Sequence, residues 1–225
     1  FINACEHEFS IANAEHGGSN PLDLINMQED IAIARAKADY VVLILHGGVE
    51  LYHYPTPRMK RWYRHFVDLG ADAVINHHQH CINGYEVYKG KPIFYGLGNF
   101  YFPGGRKSPD SWKYGYAVKL SLDKMIGFEL IPYKQTEEGL VLRETGGFNE
   151  EIDKLKYIIK DDSALQIEFD RLVKKREYYL KTQLFPSLIN CRIITGLANR
   201  GLLGSLYNNE QLYALKNKLT CESQS

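Results

Sequence analysis

The alternation of apolar and polar stretches predicts a regular succession of strands and helices in the N-terminal part of the chain. Strands are predicted at 1–5, 40–45 and 71–75, and helices at 26–38 and 56–70. The run YVVLIL at 40–45 is apolar throughout, which is typical of a strand buried on both faces of a parallel sheet. Thr56 as N-cap, Pro57 in the first turn and Gly70 after the last turn mark the second helix. This order of elements predicts an α/β layered fold.

The pattern changes character after residue 81. Short strands separated by Gly and Pro turns are predicted at 82–88, 91–95, 114–122 and 125–133, and we expect the last two to form an antiparallel hairpin. From Asn149 onward the apolar spacing is helical, with shorter helices predicted at 188–200 and 209–219. We therefore expect a mixed α/β region over residues 1–147 and a helical C-terminal extension, residues 148–225, packed on it.

Composition and charge narrow the range of functions. The chain holds 27 Lys and Arg and 27 Asp and Glu among its 225 residues, so its formal net charge is zero. Nucleic-acid-binding domains usually carry a basic excess, so we expect no nucleic-acid partner. No apolar run approaches the roughly 20 residues that span a bilayer. The four cysteines are scattered without CxxC pairs, which favours buried or free thiols over a disulfide framework.

Histidine is the residue type that points to chemistry. His46 directly follows the apolar strand 40–45, and the run Asn76–His80, which includes His77 and His78, follows the strand 71–75. Ligands of open α/β sheets bind outside the carboxyl ends of the strands, so the two strands would bring these imidazoles to one rim. Neutral imidazole is a common metal ligand near pH 7. The clustering therefore predicts a metal site.

The spacing within the cluster predicts how its side chains converge. Residues i and i+2 of an extended chain point to the same side, so His78 and His80 would face one region. A site for two metal ions also needs carboxylates, for which Glu50, Glu6 and Glu8 are candidates. Two other interpretations stay open: Glu50 is a solvated loop carboxylate, or the histidines are hydrogen-bonded residues of a purely structural domain.

Several motifs, in order, resemble a known family. The runs LILHGGVELYHYPTP and GADAVINHHQHCINGYEVYKGKPIFYGLGNFYF resemble the bacterial capsule-synthesis proteins called CapA, a family associated with capsule and poly-γ-glutamate biosynthesis. The opening ACEHEFSIA resembles a loop of the same family, and the resemblance covers residues 1–133. Asn76 stands where the family usually has Gly, and Gln79 stands where it usually has Pro.

This resemblance implies a fold and a site. The fold would be that of the calcineurin-like metallophosphoesterases, a sandwich flanked by helices, with residues 1–147 as the C-terminal part of that domain. The site would hold two divalent metal ions (Mn, Zn or Fe), with His46, His78 and His80 as ligands. If the protein is a hydrolase, His77 would be a nearby proton donor or an inert neighbour, and Glu50 would bind substrate or orient His46.

The same resemblance implies that the chain holds only part of this site. The early Asp and the Asn-His pair of the superfamily have no match here, so we expect them upstream of Phe1. On that expectation the chain alone binds metal weakly and is inactive. Its localisation, whether cytoplasmic, membrane-associated or extracytoplasmic, would depend on that upstream segment.

Two functions of different class follow from these expectations. In the first, the protein is a metal-dependent phosphoesterase-like hydrolase of capsule or poly-γ-glutamate biosynthesis, acting on an anionic polymer or a phosphate-containing small substrate. In the second, it is a non-catalytic component of a capsule or polyglutamate synthesis and export machinery. Its expected partners are capsule assembly proteins and, at an exposed sheet edge, a second copy or the missing N-terminal segment.

Overall fold

The computed structural model describes residues 1–6, 11–102, 108–124, 126–184 and 200, the side chains of 177–184 excepted. Within these residues a five-stranded sheet has the order β1-β2-β3-β5-β4. Its strands are β1 (Ile2–Cys5), β2 (Val42–His46), β3 (Ala73–His77), β4 (Tyr85–Tyr88) and β5 (Lys91–Phe94). The pairs β1–β2, β2–β3 and β3–β5 are parallel, and β4 pairs antiparallel with β5.

A second sheet, four α-helices and a short 3-10 helix (Asp110–Lys113) complete the described part. The sheet is antiparallel, with the order β6-β7-β8, and consists of β6 (Tyr114–Leu122), β7 (Ile126–Thr136) and β8 (Gly139–Leu142). The helices are α1 (Leu24–Arg35), α2 (Pro57–Leu69), α3 (Thr145–Lys160) and α4 (Asp162–Leu184). None of the helices in the described residues is long and apolar enough to cross a membrane.

Local chemistry explains where the helices beside the first sheet begin and end. Asp23 caps α1 by accepting hydrogen bonds from the backbone N–H groups of Ile25 and Asn26, both at 3.0 Å. Thr56 caps α2 by accepting from Met59 N at 3.1 Å. Gly70 ends α2 with a φ of 120°, a conformation that favours glycine.

The first sheet is buried on both faces, and alternate residues of its strands point to opposite sides. On one face Val74 and Ile93 pack with residues of α1 and α2, among them Ile31 and Phe66. On the other face Phe94 packs in a separate cluster of residues from β6 and α3: Tyr116, Phe148, Ile152 and Leu155. The layered arrangement confirms the predicted α/β class.

Several predicted boundaries need correction. The strand β8 was not predicted, and α3 begins at Thr145, before the predicted start at Asn149. The strand predicted at 82–88 begins at Tyr85. The helices predicted at 188–200 and 209–219 lie outside the described residues, apart from residue 200. The division at residue 147 stays a prediction.

Candidate functional site

The parallel register brings the predicted site residues to one edge of the sheet. Cys5 is paired with His46, and His46 is paired with His77, at the carboxyl ends of β1, β2 and β3. The alignment continues past the strand ends, because Glu6 N donates to His46 O at 2.9 Å and Gly47 N donates to His77 O at 3.0 Å. The neighbouring strand ends thus form one rim, as the positions of the histidines along the chain predicted.

His46 and His78 are in direct contact across this rim. His46 Nε2 and His78 Nδ1 lie 3.0 Å apart and share a hydrogen bond, and the ring centroids are 4.9 Å apart at 75°. Two nitrogens on one tetrahedral zinc ion, each at about 2.0–2.1 Å from the metal, lie about 3.3 Å from each other. The spacing of the two imidazoles therefore fits two ligands of one ion.

Burial keeps two of these histidines neutral. It lowers the pKa of His78 to about 4, with smaller contributions from the neighbouring His46 and His80. It also lowers the pKa of His77, and His46 adds to that effect. Neutral imidazole has a lone pair for metal binding, but the hydrogen bond places a proton on one of the two facing nitrogens, so an ion bound by both nitrogens would have to displace that proton.

His80 is held by residues from a different part of the chain. Its Nδ1 lies 2.7 Å from Asn99 Oδ1, and its ring stacks on Trp112 with 4.5 Å between centroids. Asn99 Nδ2 donates to Trp112 O at 3.0 Å, so Asn99 Oδ1 is the acceptor and His80 Nδ1 the donor. This leaves His80 Nε2 as the nitrogen able to accept a proton or a metal ion. Asn99 and Trp112 were not predicted, because the sequence alone does not place them beside His80.

The predicted extended geometry of this segment is wrong. The strand β3 ends at His77, and both His78 (φ 118°) and His80 (φ 56°) are in the left-handed region, which non-glycine residues rarely adopt. The two rings still lie 6.1 Å apart, but a bent backbone brings them there. Such conformations persist where surrounding contacts impose them, and they cluster at functional sites.

The predicted carboxylates lie in contrasting surroundings. Glu6 is buried, and its Oε2 accepts from Gly48 N at 3.2 Å. Glu50 is exposed in the turn after β2; burial lowers the pKa of Arg176 on α4, and the charge of Glu50 opposes part of that shift. Glu8 lies outside the described residues. Within the described part of the chain, no group of three or more His, Cys, Asp or Glu side chains is arranged to hold a metal ion.

Two buried amides connect the loops that carry the histidines. Asn76 Nδ2 donates to Gly47 O at 2.8 Å and to Tyr95 O at 2.9 Å, while Asn76 Oδ1 accepts from Tyr63 at 2.6 Å. Gln79 Nε2 also donates to Gly47 O, at 2.8 Å. Neither residue was among the predicted site residues. Their side chains join the segment after β2 to the segment after β3.

The chain is similar to proteins of capsule biosynthesis over the segment that carries this rim. Residues 3–104 match the family described as bacterial capsule synthesis protein PGA_cap. "Capsule biosynthesis protein CapA" of Bacillus anthracis is 38% identical over 105 residues, which are 43% of this chain and 24% of that protein. "PGA biosynthesis protein CapA" of Bacillus subtilis (strain 168) is 40% identical over 90 residues, which are 40% of this chain and 24% of that protein.

The matches thus span about a quarter of the length of these two relatives, 24% in each case. The matched segment begins in β1 and runs past β5, so it includes both histidine-bearing strand ends as well as Asn99. Residues 3–104 thus carry the similarity of this chain to the bacterial capsule synthesis proteins.

Proposed function

We propose that the protein acts in capsule or poly-γ-glutamate biosynthesis as a metal-dependent hydrolase of the phosphoesterase type. The biosynthetic role is supported by the two relatives named for capsule and PGA biosynthesis. The chemistry rests on one observation, the 3.0 Å spacing of His46 Nε2 and His78 Nδ1 at the carboxyl edge of a parallel sheet. The same rim also presents His80 Nε2, because Asn99 holds the other ring nitrogen.

Each residue of the rim has a proposed part. His46 and His78 would hold a divalent ion together, and His80 would contribute to the same or an adjacent ion. When bound, such an ion polarises a phosphoryl or carbonyl oxygen and makes hydroxide available at neutral pH. His77 is the proposed proton donor, a role that requires its protonated form, and because burial lowers its pKa this contribution would appear only at acidic pH. Glu50 is exposed four residues after His46, and no described hydrogen bond joins the two side chains, so contact with substrate is its proposed role.

The remaining ligands must come from outside the described residues. The proposed complete site holds two divalent ions (Mn, Zn or Fe), and its substrate is an anionic polymer or a phosphate-containing small molecule.

Metal titration of the full reading frame tests this proposal. We expect Zn²⁺ or Mn²⁺ to bind in calorimetry and His46→Ala and His78→Ala each to weaken that binding. His65→Ala is the matched control, since His65 is exposed on α2 and belongs to no described histidine contact. The loaded protein should hydrolyse a generic phosphodiester or poly-γ-glutamate. Equal metal binding in His78→Ala and His65→Ala would contradict the assignment.

A non-catalytic role is the second candidate. It is favoured by the lack, among the described residues, of a group of three or more His, Cys, Asp or Glu side chains arranged for a metal ion. In that case the protein would be a component of a capsule or polyglutamate synthesis and export machinery. Normal capsule output in His78→Ala cells, together with no hydrolysis by the wild-type protein, would support this candidate over the hydrolase.

A further inference from the structure

The side chain of Gln79 occupies a slot between two glycines. Gln79 is 1% exposed, and its amide group lies where side chains on Gly48 and Gly96 would otherwise project. A Cβ on Gly96 would lie 2.6 Å from Gln79 Oε1, and a Cβ on Gly48 would overlap Gln79 Nε2. The backbone of both loops therefore approaches this amide as closely as only glycine allows.

Hydrogen bonds fix the amide in that slot. Gln79 Nε2 donates to Gly47 O at 2.8 Å, and Gln79 Oε1 accepts from Asn76 Nδ2 at 3.2 Å. The backbone carbonyl of Gln79 accepts from Leu51 N at 2.8 Å. One residue thus binds the loop that follows His46 through both its side chain and its main chain.

The residues on either side of Gln79 are the two histidines in left-handed conformation. His78 has a φ of 118° and His80 a φ of 56°, and both conformations are costly without a Gly. A residue held between them by three hydrogen bonds and two glycine contacts restricts the backbone that carries both imidazoles. The direction of each ring then depends on where Gln79 sits.

We propose that Gln79 is a positioning residue that imposes the left-handed backbone at His78 and His80 and so keeps the His78 ring against His46. The use of this geometry for metal binding rests on the function proposed above. The positioning itself is tested on the metal-free protein, so that the outcome does not depend on any metal.

The test compares Gln79→Met with wild type by NMR of the metal-free protein. Methionine keeps the length and unbranched shape of glutamine but removes both amide hydrogen bonds. In wild type, whose His46 and His78 ring centroids are 4.9 Å apart, we expect a ring-to-ring nuclear Overhauser effect. In Gln79→Met we expect that effect to be lost and the ring-nitrogen shifts of both histidines to move. Retention of the wild-type effect and shifts would overturn the proposal.

Two further variants separate positioning from general destabilisation. Ile31→Val removes one methylene from the fully buried core under α1 and should lower the melting temperature without changing the histidine signals. Gly96→Ala displaces the Gln79 amide without removing it, so it serves if Gln79→Met does not fold, and we expect it to weaken the same signal. Unchanged histidine signals in a folded Gly96→Ala protein would count against the proposal, as would lost signals in Ile31→Val.

Metal titration distinguishes this inference from the proposed function. If Gln79 positions the histidines of a real metal site, zinc affinity should fall in Gln79→Met but not in Ile31→Val. If wild type binds no metal while the ring contact still depends on Gln79, the metal proposal fails and the positioning role stands. If metal binds equally well to wild type and to Gln79→Met, the positioning role fails and the metal proposal stands.

Discussion

Replacing Gly48 by alanine tests the packing of the slot around Gln79. Gly48 lies two residues after His46 and has a φ of 110°, which L side chains rarely adopt. Its new Cβ would overlap Gln79 Nε2 and lie 3.3 Å from Met59 Sδ. The substitution therefore combines an unfavourable backbone conformation with the displacement of a buried amide.

Each part of the cost can be set against a general magnitude. A non-glycine residue held at such a φ costs about 1–3 kcal/mol. Displacing the amide breaks the Gln79 hydrogen bonds to Gly47 O and from Asn76 Nδ2, at about 1 kcal/mol each. We expect Gly48→Ala to lower the free energy of unfolding by about 3–5 kcal/mol, a large share of the about 5–15 kcal/mol typical of a folded protein.

Urea unfolding followed by circular dichroism measures this change, and a double-mutant cycle isolates its cause. In a Gln79→Ala background the amide is gone, so Gly48→Ala should cost only the backbone term of about 1–3 kcal/mol. The coupling between the two positions should then be about 2 kcal/mol. If Gly48→Ala costs the same in both backgrounds, the close approach of Gln79 does not explain why residue 48 is glycine.

Two other glycines serve as matched controls because each isolates one part of the cost. Gly90 has a φ of 77°, and a Cβ added there would meet no atom within 4 Å, so Gly90→Ala reports the backbone conformation alone. Gly96 has no positive φ, and its Cβ would meet Gln79 Oε1 at 2.6 Å, so Gly96→Ala reports the contact alone. We expect the loss in Gly48→Ala to exceed either single control.

Three further predictions concern other parts of the fold. Thr56→Ala removes the cap of α2, in which Thr56 Oγ1 accepts a hydrogen bond from Met59 N at 3.1 Å. The substitution should lower the free energy of unfolding in urea by about 1 kcal/mol, and an unchanged value would show that water replaces the cap. Burial raises the pKa of the Cys81 thiol to about 12. Iodoacetamide at pH 8 should therefore alkylate Cys81 about a thousandfold more slowly than a cysteine of ordinary pKa. Similar alkylation rates in site-resolved mass spectrometry would contradict this prediction. The hydrogen bond from Lys60, 2.5 Å from Asp162, lowers the pKa of Asp162, so its stabilisation is present above the unfolded pKa of about 4 and lost as pH falls through the folded value. Asp162→Asn should therefore lower the free energy of unfolding in urea by about 1 kcal/mol at pH 7, a small value because this carboxylate is largely exposed. The loss should vanish at a pH at which Asp162 is protonated in both the folded and the unfolded protein. A loss that does not depend on pH would refute the ion-pair explanation.

Local signals made part of the fold predictable. The helix predicted at 56–70 spans Pro57–Leu69 because Thr56, Pro57 and Gly70 fix its ends by chemistry that acts within a few residues. The strand β8 was missed because it is short and two of its residues, Val141 and Leu142, are exposed. The position of β8 depends on its pairing with β7, and its own four residues show no alternation of buried and exposed side chains that would predict a strand.

The candidate site shows the same division between local and tertiary information. The meeting of His46 and His78 was predictable, since both follow buried parallel strands whose carboxyl ends share an edge. The left-handed turn was not predictable, because non-glycine residues rarely adopt it and the close approach of Gly48 and Gly96 to Gln79 joins segments that are distant along the chain. Asn99 was out of reach for a similar reason, as it lies 19 residues from His80 along the chain.

Asn76 and Gln79, the two positions expected to differ from the family that the sequence resembles, are buried side by side at this rim. Asn76 and Gln79 are 0% and 1% exposed, bond to each other and both donate to Gly47 O. Buried amides with satisfied partners rigidify the segments they join, whereas a partly satisfied network would be destabilising. The contact of His46 with His78 therefore lies beside a network of satisfied buried amides within residues 3–104. An ion arriving at this rim would meet two nitrogens already close to the spacing it requires, so we expect the loss of Gln79 to weaken metal binding more than it weakens the fold.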